Sequence, residues 1–345
     1  MDPAMETAWR LAARIEGDEI RFSFAADDSA CAPEEGRLPQ LAFTAMGCGM
    51  LAVLDCNPAL AQPALARIPA MFERWEAALS RFRGESELSR LNRSSGNTMT
   101  ASPVLFGLLK MSIRMAEASN GLVVPTVGND LIAAGYDRSF DELPADRPGM
   151  PWIERNFQAS EPWRQICLQR RGRKVWVPQS IRLDLGGIAK GWAADRAVRQ
   201  LARLGPALMD AGGDIAVSGP RGDGSPWAIG VEDPMGHAQQ IAMLAIERGG
   251  MATSGLDYRH WKVAGEWQHH LIDPRTGRPA QTDLLSVTII GPSAAKAEVA
   301  AKVVLLLGSE KGLQWVDKQR ELAALLVTDE GDVVLSYRMP GYIWS

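Results

Sequence analysis

Cysteine is scarce in this chain: 345 residues hold four, Cys31, Cys48, Cys56 and Cys167. None forms a CxxC pair and no spacing matches a zinc site. A cysteine-built metal module and a disulfide-stapled scaffold are therefore excluded, and reduced, packed thiols are the expectation. No apolar run approaches the roughly 18 residues that a membrane span needs. The opening MDPAMETAWRLAARIEGDEIRF lacks the apolar core of a secretory signal. Excess positive charge is missing too. Lys and Arg number 37 against 41 Asp and Glu, a formal net charge of −4, so no global basic field recruits nucleic acid or an anionic membrane. The motif GxSxG of serine hydrolases and the phosphate loop GxxxxGK[ST] are both absent. These absences lead to the expectation of a cytoplasmic protein with neither nucleic acid nor membrane as a partner.

What is present is ordinary globular material, 46% hydrophobic and 23% charged, enough for a sizeable core. Residues 1–40 read as an extension: an amphipathic piece from Trp9 to Phe24, then the acidic, Pro/Gly-bearing linker DDSACAPEEGRLP. Residues 41–345 read as the body. LAFTAMG and MLAVLD have strand character. Ile68, Met71, Phe72, Trp75 and Leu79 form one apolar stripe that predicts a helix over 58–82. Ser102-Pro103 is a helix start and Asn120-Gly121 its stop. ICLQRRGRKVWVP predicts a hairpin turning at Gly172. SIRLDL, ALMDAGGDIAVSG, PWAIGVEDP and SVTIIG read as strands, IAKGWAADRAVRQLARL and PSAAKAEVAAKVVLLLG as helices, and LAALLVTDEGDVVLSY as a closing hairpin. Strands and helices mix without strict βαβ alternation, which predicts an α+β fold.

Several stretches can carry chemistry. Asp184-Leu185-Gly186-Gly187 links a predicted strand to a helix whose first turn holds Lys190. Backbone N–H groups, a helix start and a lysine make the outline of a phosphate cradle, and equally of a tight turn with an exposed lysine. Gly47-Cys48-Gly49-Met50-Leu51-Ala52 fits GxGxxA but lacks the strand–turn–helix context of a dinucleotide fold. Asp210-Ala211-Gly212-Gly213-Asp214 is a glycine turn or more. HHLIDPRTGRP places His269, His270, Asp273 and Arg275 together. The helix carrying Glu298 and Lys302 is apolar over most of its circumference, the mark of a buried helix. Its Glu/Lys pair is either a surface i,i+4 pair or directed at a polar cavity.

Taken in order, AMGCGM, SELSRLN, GLVVPTVG, DLGGIAKGWAADR, AGGDIAVSG, MATSG and HHLIDPRTGRP resemble the FAD:protein FMN transferase family, ApbE-type. The resemblance runs from about Ala42 to Tyr337. It implies a two-lobed α+β fold, mixed sheets flanked by helices, with FAD in a cleft between the lobes. It implies magnesium-assisted cleavage of the FAD diphosphate, transfer of FMN to a Thr or Ser hydroxyl of an acceptor flavoprotein, and release of AMP. On this match His270 is the general base, for which a neutral imidazole near pH 7 is suited. Gly186, Gly187 and Lys190 fall in the nucleotide-binding loop, with Asp184 beside them. Glu87, Leu88 and Ser89 fall in a pocket-lining segment, Arg275 faces the nucleotide, and Met46, Thr126, Ser254 and Asp257 join the cofactor set. The family's metal-ligating Asp and Thr fall on Glu298 and Lys302. A glutamate can ligate magnesium; a charged lysine cannot. Cofactor binding is thus better supported than transfer, and a noncatalytic FAD or nucleotide binder, or an FAD pyrophosphatase, stands as the alternative.

Overall fold

Alternating apolar residues build the central sheet. The computed structural model describes residues 13–16, 19–22, 38–144, 146–147, 161–237, 240–256 and 259–344. Ten strands matter here: β1 (Gln40–Ala45), β2 (Cys48–Leu54), β3 (Ala207–Ala211), β4 (Asp214–Val217), β5 (Trp227–Glu232), β6 (Gln240–Ile246), β7 (Gly249–Gly255), β8 (Leu284–Gly291), β9 (Ala323–Thr328) and β10 (Val333–Leu335). Eight of them form one sheet in the order β10-β9-β8-β7-β4-β3-β2-β1, every neighbouring pair antiparallel. β5 and β6 pair as a separate ribbon. Parallel pairing occurs only in a small sheet, between Lys262–Val263 and Asp146–Arg147, among the described residues.

Side chains of successive strand residues point to opposite faces. In β2, Met50, Ala52 and Leu54 enter one core with Phe72, Leu105 and Trp192. Leu51 and Val53 enter another with Trp227 and Ile229 of β5 and Leu244 of β6. One face of the sheet thus packs on helices and the other on the β5–β6 ribbon. The helices are α1 (Pro58–Leu65), α2 (Ile68–Leu79), α3 (Glu87–Arg93), α4 (Pro103–Ala118), α5 (Gly128–Ala133), α6 (Ala189–Leu201), α7 (Ala294–Leu307) and α8 (Ser309–Asp317). α7 is capped by the Ser293 hydroxyl on Lys296 N–H, and eleven of its fourteen residues are buried. It lies on β7 and β8, between α6 and α8. That contact depends on Gly250, where a Cβ would fall onto the Ala294 backbone nitrogen.

The α+β class is the one expected, and both glycine-turned hairpins form: Cys167–Gln169 with Lys174–Trp176 around Gly172, and β3 with β4 around Gly212-Gly213. Three expectations change. The helix over 58–82 is two helices, because Pro69 has no N–H to continue the ladder and the chain restarts at Ile68. SIRLDL is not a strand; the backbone of Leu183 bonds both ways to the Asn92 amide, at 2.8 and 2.9 Å, and Asp184 N–H donates to Pro125. Cys167 is exposed rather than packed. β6, β7 and the His260–Val263/Glu266–His269 hairpin carry weak alternation and were not expected. Within the N-terminal piece, Ala13–Glu16 pairs with Glu19–Phe22; the linker up to Arg37, with Cys31, and Asp257 lie outside the described residues.

Candidate functional site

A cavity of about 1180 Å³ is walled by β1–β2, the 80–83 and 122–127 loops, the 184–190 turn, the ends of β3–β5 and β7, residues 270–274 and α7. Its rim begins with a two-residue hairpin loop. Ala45 pairs with Cys48, so Met46 and Gly47 turn the chain alone, both with positive φ (51° and 68°). That is the primed turn a right-twisted hairpin prefers, at some strain for a methionine. The Met46 N–H donates to Glu76 Oε2 at 2.9 Å, which fixes the strained residue at the rim.

The 184–190 turn is built by its own aspartate. Asp184 Oδ1 accepts from Gly186 N–H at 2.8 Å, and Oδ2 takes Arg81 Nε at 2.5 Å. The Arg81 guanidinium lies over the rings of Phe82 (4.1 Å) and Tyr136 (4.6 Å). Its Nη2 is buried with no protein hydrogen-bond partner. A buried guanidinium with an unmet N–H in a cavity wall is chemistry for an acceptor oxygen. At the head of α6, Lys190 pairs with buried Asp214 of β4. Burial works against its charge, but Asp214 and then Glu298 outweigh this and hold its pKa above the ordinary lysine value.

The adjacent histidines separate as alternation requires. His269 Nε2 meets the Ala280 carbonyl at 3.0 Å, and the ring is not part of the cavity wall. His270 is in the wall, its Nδ1 toward the Arg259 carbonyl at 3.5 Å. Burial, then the nearby Arg259 and Lys302, lower its pKa well below the ordinary value, so the ring stays neutral. Arg259 itself donates to the Gly47 carbonyl at 3.3 Å, tying the late segment to the rim. Asp210, buried on β3, accepts from Gly213 N–H at 2.7 Å. Burial pushes its carboxyl up to about 7, against that hydrogen bond.

Of the residues expected at the site, Met46, Asp184, Gly186, Gly187, Lys190, Ser254, His270, Glu298 and Lys302 do share the cavity. Others stand behind it. Glu87 accepts from Ser102 N–H, Leu88 is in the core, and Ser89 bonds the carbonyls of Ser80 and Arg81. Ser89 thus supports the 80–83 wall, and none of the three lines the cavity. Buried Thr126 sits between lining residues Pro125 and Val127. Arg275 does not face the cavity: it forks onto Asp273 at 2.8–3.0 Å and bonds the Leu306 carbonyl at 2.8 Å. Asp273 shapes its turn, accepting from Arg275 N–H. Arg81 and Arg259 escaped sequence reading because nothing in a lone arginine marks it. Asp210 and Asp214 were visible in DAGGD, as a glycine turn or more, but with no role attached to either.

Glu298 is 1% exposed. Its Oε2 accepts from Gly191 N–H at 3.0 Å, and its Oε1 stands 3.3 Å from Lys302 Nζ. The surface-pair reading is overturned: both charges are inward. The pair does not fit a magnesium site. Both carboxylate oxygens are engaged, an ammonium has no lone pair, and at similar distances its repulsion of a dication offsets the glutamate's attraction. No group of three His, Cys, Asp or Glu placed to hold a metal occurs among the described residues.

A protein-family model described as the ApbE family matches residues 46–326. The FAD:protein FMN transferase of Treponema pallidum is 33% identical over 269 residues, 72% of this chain and 72% of its own. That of Haemophilus influenzae is 29% identical, covering 78% and 80%. Among solved structures, the ApbE protein of Thermotoga maritima superposes with a TM-score of 0.78 at 25% identity, covering 90% of this chain and all of that one. Flavin transferase ApbE of Vibrio cholerae gives 0.72 at 24%, covering 89% and 100%.

Proposed function

The chain belongs to the ApbE family, and from that premise we propose that it is an FAD:protein FMN transferase. It takes FAD, joins the FMN phosphorus to a Ser or Thr hydroxyl oxygen of an acceptor protein, breaks the diphosphate P–O bond, and releases AMP. The observation that carries the reading is the meeting of a neutral, half-buried His270 with the 184–190 turn, Lys190 and Arg81 in one cavity large enough for a dinucleotide.

Each residue has a task that its surroundings support. Arg81 offers an unmet N–H to an oxygen of the ligand. Lys190 keeps its charge through Asp214 and adds to the α6 N-terminus a field that favours phosphate. His270, with the Nδ1 proton toward Arg259, presents Nε2 as the base for the acceptor hydroxyl. Most of the remaining wall is apolar, from Phe43, Leu79, Leu131 and Ile229 among others, and suits the flavin ring. The misfit of a magnesium site favours one second reading, a binder or pyrophosphatase without transfer. Mass spectrometry after incubation with FAD and a threonine-bearing acceptor peptide separates them. A gain of one FMN on the peptide is expected. Free FMN and AMP with an unmodified peptide would mean hydrolysis, and intact FAD would mean binding alone.

A further inference from the structure

α7 puts a cation beside the 184–190 turn of the cavity wall. The Lys302 side chain is 15% exposed. Its stem lies along the turn: a Cβ placed on Gly187 would meet Lys302 Cε at 3.4 Å. Its ammonium reaches Glu298 twice, at Oε1 (3.3 Å) and at the backbone carbonyl (3.4 Å). Both contacts are long for a charge-assisted bond. An ammonium has three N–H donors, so one remains for a ligand while Glu298 keeps the group in place. Glu298 is in turn pinned by Gly191 N–H. Three other lining cations are paired with carboxylates at shorter range: Lys190 with Asp214, Arg81 with Asp184 through Nε, and Arg83 with Glu73, while Arg259 reaches the Gly47 carbonyl at 3.3 Å. The ammonium therefore stands near Gly187, just before the start of α6, where an anionic ligand gains from the helix field.

We propose that the Lys302 ammonium, positioned by Glu298, supplies the positive charge that engages the diphosphate of FAD, so that this chain binds its dinucleotide without a divalent metal. The proposal rests on the FAD reading given above. A lysine does as a fixed side chain what a metal does as a recruited ion, namely neutralise the diphosphate. It does not reproduce the Lewis acidity that polarises the scissile bond, so binding and transfer respond differently to magnesium. Glu298 is a positioning residue here, and it makes no contact with the ligand.

Calorimetry of the full chain with FAD, once in EDTA and once in magnesium chloride, tests this directly. The expected dissociation constants agree within about twofold. Lys302→Met weakens FAD binding at least tenfold in EDTA, and Lys302→Arg stays within about threefold of the parent. Circular dichroism melts confirm that both variants are folded. Manganese titrated into the FAD complex keeps its full free-ion electron paramagnetic resonance signal. FAD binding that appears only with magnesium, a Lys302→Met variant that binds like the parent, or stoichiometric loss of the manganese signal overturns the proposal and leaves the FAD reading standing. Absence of FAD binding in both buffers overturns both.

Discussion

Two neighbouring histidines with opposite assignments make the sharpest residue-scale test. His269 is spent on the Ala280 carbonyl, and His270 is in the cavity wall. His270→Ala is expected to lower transfer by about 10²–10⁴ with FAD affinity nearly unchanged, and His269→Ala to cost far less. Equal losses, measured as rates and by calorimetry, would sink the assignment. The pH profile carries a second test. Burial, then Arg259 and Lys302, hold the His270 pKa well below its ordinary value. The acid limb of the rate profile should therefore lie below the usual histidine range. Arg259→Gln removes a cation, eases protonation, and should move that limb upward. Asp210 has the opposite sign. Its folded value near 7 stands above the ordinary 3.8, so its contribution to stability is complete below about pH 4 and is lost as pH rises to 7. Asp210→Asn should raise the melting temperature at pH 8, and the gain should shrink toward pH 4. His270 was legible because the motif around it is dense. Arg81 was not, since its role comes from two rings and a carboxylate that only the fold assembles.

At the scale of elements, α7 governs the site. Its nearly all-round apolar surface was readable as burial, and its Ser293 cap as a start. What it packs on was not readable, because Gly250 looks like any glycine until α7 is placed over it. Gly250→Ala would push the head of α7 off β7. A loss of about 1–3 kcal/mol is expected from such overpacking, measured by denaturant unfolding, with weakened FAD binding because Glu298 and Lys302 move with the helix. Where expectation failed, side chains and prolines had replaced backbone regularity. Asn92 takes the hydrogen bonds that a strand partner would have given Leu183, and Pro69 divides one apolar stripe between two helices.

At the scale of the whole molecule, the cavity draws its walls from residue 42 to residue 306, so a ligand there is coupled to the whole fold. FAD at about a hundredfold above its dissociation constant should add about 2.7 kcal/mol of stability, seen as one cooperative upward shift in the melting curve. A shift confined to a minor transition would contradict a cavity shared by the whole chain. The α+β class could be read from the patterning, but the sheet order could not, since pairing partners are set by packing on both faces.

That order has a consequence for how the protein is made. From β1 to β10, with the β5–β6 ribbon set aside, spatial sequence follows chain sequence. A polypeptide leaving the ribosome can lay each new strand beside one already placed, so slow long-range searches are few. Most of the cavity wall emerges before α7. α7 follows β8, and Lys302 arrives with it, the last of the pocket's cations. A nascent chain still missing α7 in the exit tunnel already carries Arg81 and Lys190 but lacks Lys302 and the wall that α7 supplies, so full engagement of the dinucleotide is a late event in biogenesis, after the last third of the sheet has begun to close.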